Sequence, residues 1–405
     1  MTDLNKITKA QQQALKFAEE NDYYGYDLYD GLKVTDSEPL LKNKVFNAVF
    51  TQSFKRNPVN LRQLAGISKS RMPKGMGIFL NAHALMARVT AGDQRTHHIA
   101  EGKRILQWLD EQKVEGYSGI CWNFGFNYKF MFHKPTVVIT SIIARGLHEY
   151  YLVTQDEQAK RLLLGTKDFI LNDLFRTETE DGLCFSYTPI KPDCCYNASM
   201  LATETLARIY SFTGEKELLN LIKQSMDFNV AHQHRDGRWN YAIEIESGKE
   251  RPQVDFHQGY VVESMHEIMR WAKLDDPKYQ QSVADGTKFY FEEQFYSDGR
   301  ALRRIPRIWP VDIHNQAQGI ITFTKLRNLD ERYLPFAKTV AEWTIDNMQD
   351  LDGHFYYQVH KYYTIKTSYM RWAQAWMVLG MALLLNQEDK AKLNGQVNVK
   401  EGERV

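Results

Sequence analysis

The chain has only four cysteines, Cys121, Cys184, Cys194 and Cys195, and no Cys-x-x-Cys pair. The adjacent Cys194 and Cys195 are poorly placed for an ordinary disulfide, so a reduced, cytoplasmic setting is expected. No run of 18 apolar residues occurs, and the first twenty residues, MTDLNKITKAQQQALKFAEE, lack the apolar centre of a signal peptide. No membrane span is therefore expected. The 51 basic and 50 acidic residues are mixed along the chain and leave a net charge of +1. Nucleic-acid binding needs clustered positive charge, so no such partner is expected. Also missing are GxxxxGK[ST], a strand-following GxGxxG and GxSxG, which leaves nucleotide-binding and hydrolase-elbow readings unsupported.

What remains is ordinary in bulk and unusual in pattern. At 43% hydrophobic and 25% charged, the composition is that of a soluble globular protein. Aromatic residues are plentiful at 13%. Five segments open on a glycine and run into aromatic sequence, at Gly119, Gly182, Gly237, Gly299 and Gly353, spaced 63, 55, 62 and 54 residues apart. Each is followed by a helix apolar on most sides and then by an amphipathic helix with charge on one face. KGMGIFLNAHALMARV adds an earlier apolar helix to the series. The missing outer partner comes from Gln11–Glu20 or from Leu41–Phe54. Six inner and about six outer helices predict an all-α (α/α)6 toroid, with aromatic loops at one rim. Residues 1–386 are expected to form a single domain, and 387–405 a polar, mobile tail.

In such a toroid the inner helices run parallel and their N-termini share a rim. VDFH at Val254–His257 and VDIH at Val311–His314 open two neighbouring inner helices. Asp255 and Asp312 read either as N-caps or as catalytic carboxylates. His257 and His314, at helix N-termini, are expected to stay neutral and so able to take or lend a proton. Arg371, in an otherwise apolar helix, must pair with an acid from the N-terminal region or read a substrate carboxylate or phosphate. The other inner helices carry Lys74, Thr136, Asn197 and Tyr369 near the matching place. Tyr26, Asp27 and Asp30 in NDYYGYDLYDGL, with Trp122, Tyr128, Trp239, Tyr241, Trp309 and Tyr357 from the glycine segments, are candidate walls for a sugar. Two Asp-x-His units could supply four metal ligands. Zinc sites on a helix use i, i+4 histidines, however, and these units lie 57 residues apart. Neither a metal nor another cofactor is expected.

YGYDLYDGL, WNFGFNYK with PTVV, YNASMLATETLARIY, VDFHQGYVVESM, DIHNQAQGI and YMRWAQAWM together resemble the VpsJ-like proteins of bacterial capsule and exopolysaccharide biosynthesis. The resemblance spans about residues 22 to 386. It implies a polysaccharide-related role, an oligosaccharide, polysaccharide or sugar-linked substrate, and association with polysaccharide-assembly proteins. More distantly the layout is similar to sugar 2-epimerases, uronyl C5-epimerases, unsaturated glucuronyl hydrolases and toroid polysaccharide lyases. The leading expectation is proton abstraction from a uronyl or related sugar, by an epimerase or lyase. His257 and His314 would be base and acid, and Arg371 would hold the carboxylate. The alternatives are a glycoside hydrolase using two of Asp27, Asp30, Asp255 and Asp312, and a non-catalytic glycan-binding subunit.

Overall fold

The computed structural model describes residues 4–32, 44–125 and 133–387; Tyr128 and, apart from Gln387, the expected tail 387–405 lie outside them. In chain order the helices are α1 (Leu4–Glu20), α2 (Lys44–Arg56), α3 (Pro73–Val89), α4 (Gly92–Glu111) and α5 (Val137–Thr154). Then come α6 (Glu157–Asp168), α7 (Tyr196–Thr213), α8 (Lys216–Ala231), α9 (His257–Ala272) and α10 (Pro277–Gln294). The last are α11 (Ile313–Lys325), α12 (Tyr333–Met348) and α13, residues 370–387, which opens with a π-helical turn at Met370–Gln374. Helices α3, α5, α7, α9, α11 and α13 form the inner ring. It is closed, because α13 packs on both α11 and α3. Outside it stand α4, α6, α8, α10, α12 and α1, an (α/α)6 toroid.

The inner helices are apolar all round because both faces are covered: every residue of α3 from Pro73 to Ala87 is buried. Outer helices bury one stripe, as in α8, where Leu218, Ile222 and Met226 recur at helical spacing. The helices α3 and α5 meet backbone to backbone, since a Cβ on Gly146 would lie 2.2 Å from the Gly77 carbonyl.

The glycine segments fasten each repeat to the next outer helix. Gly237, at φ 91°, lies so close to α10 that a Cβ would stand 2.4 Å from the Asp285 carbonyl. Gly353, at φ 96°, makes the same approach to α1, with Gln13 O at 2.5 Å. That contact identifies α1 as the sixth outer helix and removes α2 from contention. A glutamine in the first or second turn of the inner helix then clamps the segment. Gln258 accepts from the Trp239 amide at 3.0 Å and donates to the Gly237 carbonyl at 3.1 Å. Gln316 does the same for Ala301 and Gly299, and Gln374 holds both backbone groups of Phe355. Rim loops of neighbouring repeats also pair as short antiparallel ribbons. In one, Cys194–Cys195 joins Ala242–Glu244 and Lys249–Arg251; in the other, Val311–Asp312 joins Gln358–Val359 and Thr364–Ile365.

Below the rim the barrel axis is filled by charge. Arg145 donates to Glu204 at 2.9 Å and to Glu263 at 3.1 Å, Arg208 to Glu204 and Glu267 at 2.9 Å, and Lys325 to Glu263 at 2.6 Å. Buried cations and carboxylates alternate across four inner helices, which satisfies the pairing that burial demands.

Candidate functional site

The segment after α1 is a strap sewn to the start of α13. The Met370 amide donates to the Tyr26 carbonyl at 3.3 Å. Asp27 accepts from Arg371 Nε at 2.8 Å and Nη2 at 3.0 Å, and both residues are buried. Asp30 accepts from Arg62 Nε at 2.9 Å, and Arg62 Nη2 reaches the Tyr369 hydroxyl at 2.8 Å. This corrects two expectations. The forked edge of Arg371 that would read a substrate carboxylate is filled by Asp27. Asp27 and Asp30 are fastening groups with guanidinium partners, not free carboxylates on a cavity wall.

The two VDxH stretches fold alike and end differently. In both, the aspartate accepts from the histidine amide, at 3.2 Å for His257 and 3.0 Å for His314, as a helix cap does. In the first, Asp255 Oδ1 also meets His257 Nδ1 at 2.5 Å. Because a carboxylate only accepts, Nδ1 carries the hydrogen and Nε2 keeps its lone pair in the neutral ring. Nε2 makes no hydrogen bond among the described residues, and the His257 side chain is 20% exposed. Burial pushes the Asp255 carboxyl up, but the His257 charge and the hydrogen bonds from His257 and Gln253 outweigh it and hold it down at about 2. This is an oriented Asp–His dyad whose second ring nitrogen is open.

In the second, the carboxylate is consumed elsewhere. Asp312 Oδ1 accepts from Trp372 Nε1 at 3.0 Å and Oδ2 from Gln358 at 2.6 Å. His314 is buried and stacks on Trp372, ring centroids 4.2 Å apart. Its Nδ1 donates to the Trp372 carbonyl at 3.4 Å, so its Nε2 accepts from the Tyr260 hydroxyl at 2.9 Å. Burial, then the Lys74 and Arg371 charges, pulls the His314 imidazole well below its ordinary range and keeps it neutral. Both histidines touch the same ring, Phe256, at 4.2 and 4.5 Å between centroids.

Lys74 stands on α3 beside this pair. It is buried, makes no ion pair among the described residues, and places Nζ 5.5 Å from the centre of the Trp376 ring. Burial, with the neighbouring Arg371 charge, lowers its ammonium well below the ordinary lysine value. A negative charge on a ligand placed here would draw this nitrogen toward its charged form.

The aromatic candidates divide. Trp122 and Trp239 are buried and donate through Nε1 to the Leu109 and Asn229 carbonyls of outer helices, at 2.8 and 2.7 Å. Tyr357 and Tyr369 are buried edge to face against each other. These four pin loops and offer no face to a sugar, which corrects the reading of Trp122, Trp239 and Tyr357 as candidate walls. Tyr26, Tyr241 and Trp309 are half-buried; Tyr241 stands edge-on to His257 at 4.9 Å. Asn197 is buried and accepts from Cys195 Sγ at 3.0 Å. Trp372 and Tyr260 were not singled out from the sequence. The signal for Trp372 was its place beside Arg371, in a turn that proves to be π-helical, a feature common at functional sites.

No family model and no curated protein matches the chain. Solved structures do. It superposes on cellobiose 2-epimerase from Bacillus thermoamylovorans B4167 with a TM-score of 0.61 at 15% identity, over 78% of this chain and 88% of that one. An unsaturated glucuronyl hydrolase specific for heparin gives 0.60 at 15% identity, over 80% and 88%. A family 76 glycoside hydrolase from a bovine Bacteroides thetaiotaomicron strain gives 0.64 at 11% identity, over 95% and 78%. These likenesses establish the toroid architecture.

Proposed function

We propose that this protein is a carbohydrate-active enzyme that moves a proton at a sugar carbon, an epimerase or isomerase working at the rim. The observation that carries the reading is the Asp255–His257 dyad with Nε2 open, beside a second, neutral histidine. His257 Nε2 takes the proton from the carbon next to the carbonyl of an open-chain sugar. The electron pair passes to the carbonyl oxygen, and the resulting enediolate is stabilised by the Lys74 ammonium. Asp255 holds the imidazolium that forms. The Tyr260 hydroxyl turns its hydrogen from His314 Nε2 to the carbon, and solvent, which receives the His257 proton, returns one to the Tyr260 oxygen.

The filled edge of Arg371 favours a neutral reducing-end sugar over a uronyl unit. The structural neighbours that carry out epimerisation support the same choice. The link to exopolysaccharide or capsule synthesis, the cytoplasmic setting and the assembly-protein partners rest on the sequence resemblance and composition alone. Hydrolysis by paired carboxylates draws support from the glycoside hydrolase neighbours but not from the site, where Asp27 and Asp30 are taken up by Arg371 and Arg62 and Asp312 by Trp372 and Gln358.

The test is incubation of the full chain with cellobiose, mannose, glucose and uronyl oligosaccharides in heavy water, read by NMR and mass spectrometry. The expected outcome is an epimer or keto isomer carrying deuterium at the carbon next to the carbonyl, absent with His257→Ala. New reducing ends would mean hydrolysis, an unsaturated end lysis, and saturable binding without product a binding subunit. Each of those, or full turnover in His257→Ala, overturns the proposal.

A further inference from the structure

Far from the rim dyad in sequence, a second group of histidines lies where the outer ring closes. Glu19 near the end of α1 faces His97 and His98 on α4, and His83 on α3 lies beneath them. One ligand atom from each of Glu19, His97 and His98 can be chosen so that all lie within 4.8 Å of one another. His97 Nε2 is 3.1 Å from Glu19 Oε1, and His83 Nδ1 is 3.2 Å from His98 Nδ1.

The hydrogen-bond chain behind His98 decides which of its nitrogens is open. The Tyr23 hydroxyl donates to Glu101 at 3.0 Å, so its oxygen accepts from His83 Nε2 at 2.8 Å. His83 then carries its hydrogen on Nε2, and its Nδ1 must accept. His98 Nδ1 is left as the donor, and His98 Nε2 keeps a bare lone pair. It makes no hydrogen bond among the described residues. A carboxylate-anchored relay that fixes an imidazole tautomer with one lone pair outward is the second layer expected behind a metal-binding histidine.

We propose that Glu19, His97 and His98 form a binding site for a zinc-class divalent transition metal that staples α1 to α4. Two imidazole nitrogens and one carboxylate oxygen suit that class. A fourth position is open to water from the adjoining surface groove, which is lined by Gln12, Glu19, Asp93, His97 and His98 among others. Ligand atoms around tetrahedral zinc stand about 3.4 Å apart. Closing to that distance asks for a movement on the order of 1 Å from His97, whose side chain is half exposed. Binding displaces the hydrogen shared by His97 Nε2 and Glu19 to solvent, and no electron transfer is involved. The staple falls where the N-terminal helix completes the outer ring, so its effect is on ring closure.

The experiment uses the untagged full chain, stripped with chelator and titrated with zinc(II) by calorimetry. Cobalt(II) then serves as a visible-absorption probe. One equivalent should bind, cobalt should give tetrahedral-type d–d bands, and saturating zinc should raise Tm by roughly 3–5 °C. His97→Ala and Glu19→Gln should each weaken binding by about 10-fold or more and abolish the Tm rise. Far-UV circular dichroism checks that both variants fold. No heat and no cobalt bands in the wild type, several weak equivalents, or undiminished binding in either variant overturns the site.

Discussion

Replacing Asp255 with Asn tests the rim dyad by removing one charge and little else. In the wild type Oδ1 accepts from His257 Nδ1 at 2.5 Å and from the His257 amide at 3.2 Å, while Oδ2 accepts from Gln253 at 2.9 Å. An asparagine can keep its carbonyl oxygen at the first position and turn its amide toward Gln253, whose own amide flips. Packing and the His257 tautomer survive. The negative charge does not. Against burial, the partners of Asp255 bring its carboxyl from 3.8 to about 2. At about 1.36 kcal/mol per pH unit this is worth about 2 kcal/mol. A step in which His257 becomes imidazolium loses that attraction, so kcat should fall roughly 30- to 60-fold. Stability provides an arm that needs no substrate. The folded value lies below the unfolded one, so the contribution is present above pH 3.8 and fades as pH falls toward 2. Urea unfolding should find wild type more stable than Asp255→Asn by about 2 kcal/mol at pH 5, with the gap closing at lower pH. A variant within threefold of wild-type kcat refutes the catalytic part. A gap that stays constant down to pH 2 refutes the electrostatic part.

Three further changes separate fastening from chemistry. Arg371→Ala leaves Asp27 buried without its guanidinium and should cost about 3–5 kcal/mol in urea unfolding, most of it recovered in the Asp27→Asn, Arg371→Met double variant. Tyr260→Phe leaves His314 Nε2 without its donor; Tm should drop by the equivalent of about 1–2 kcal/mol and kcat by about 100-fold. Lys74→Met should stabilise the fold by about 1–2 kcal/mol at pH 7 while abolishing turnover, since it exchanges a buried cation without an ion pair for an apolar chain. The wild type should gain stability as pH rises toward 10.5, because the unfolded chain holds a proton that folded Lys74 gives up more readily, and Lys74→Met should lack that slope.

The toroid was legible because its two helix types differ in a property a sequence displays directly, the width of the apolar face. The choice between α1 and α2 as the last outer helix was not, since both segments offer helical stretches. It is settled by a backbone approach, Gly353 against Gln13, that only the closed ring creates. The axial charges were also missed. Arg145, Glu204, Arg208, Glu263, Glu267 and Lys325 are spread over four largely apolar inner helices, and pairing between helices has no signature along one chain. At the rim, residue types and positions were readable while partners were not. Arg371 was expected to pair with an N-terminal acid or read a substrate, and Asp27, 344 positions away, takes it. Trp122 and Trp239 looked like sugar platforms because sequence shows an aromatic ring at a rim but not which way its Nε1 points.

The repeated VDxH motif shows where local sequence stops determining chemistry. Both copies supply a capping carboxylate and a histidine in the first turn, so the local backbone requirement is met twice. The difference comes from the neighbouring inner helix. The π turn that opens α13 delivers Trp372 onto His314 and its indole hydrogen to Asp312, which draws that carboxylate away from the imidazole. Tyr260, three residues after His257, then occupies the second nitrogen of His314. His257 receives no such cover: Phe256 stacks on it, Tyr241 stands edge-on, and Asp255 stays bound to Nδ1. One aspartate therefore holds its histidine by Nδ1, while the other holds a tryptophan. The asymmetry gives two stations of unlike character, a half-buried histidine with one nitrogen open and a buried neutral ring behind a hydroxyl. A reaction that removes a proton with one group and returns it with another requires two unlike groups, and two identical dyads would not supply them.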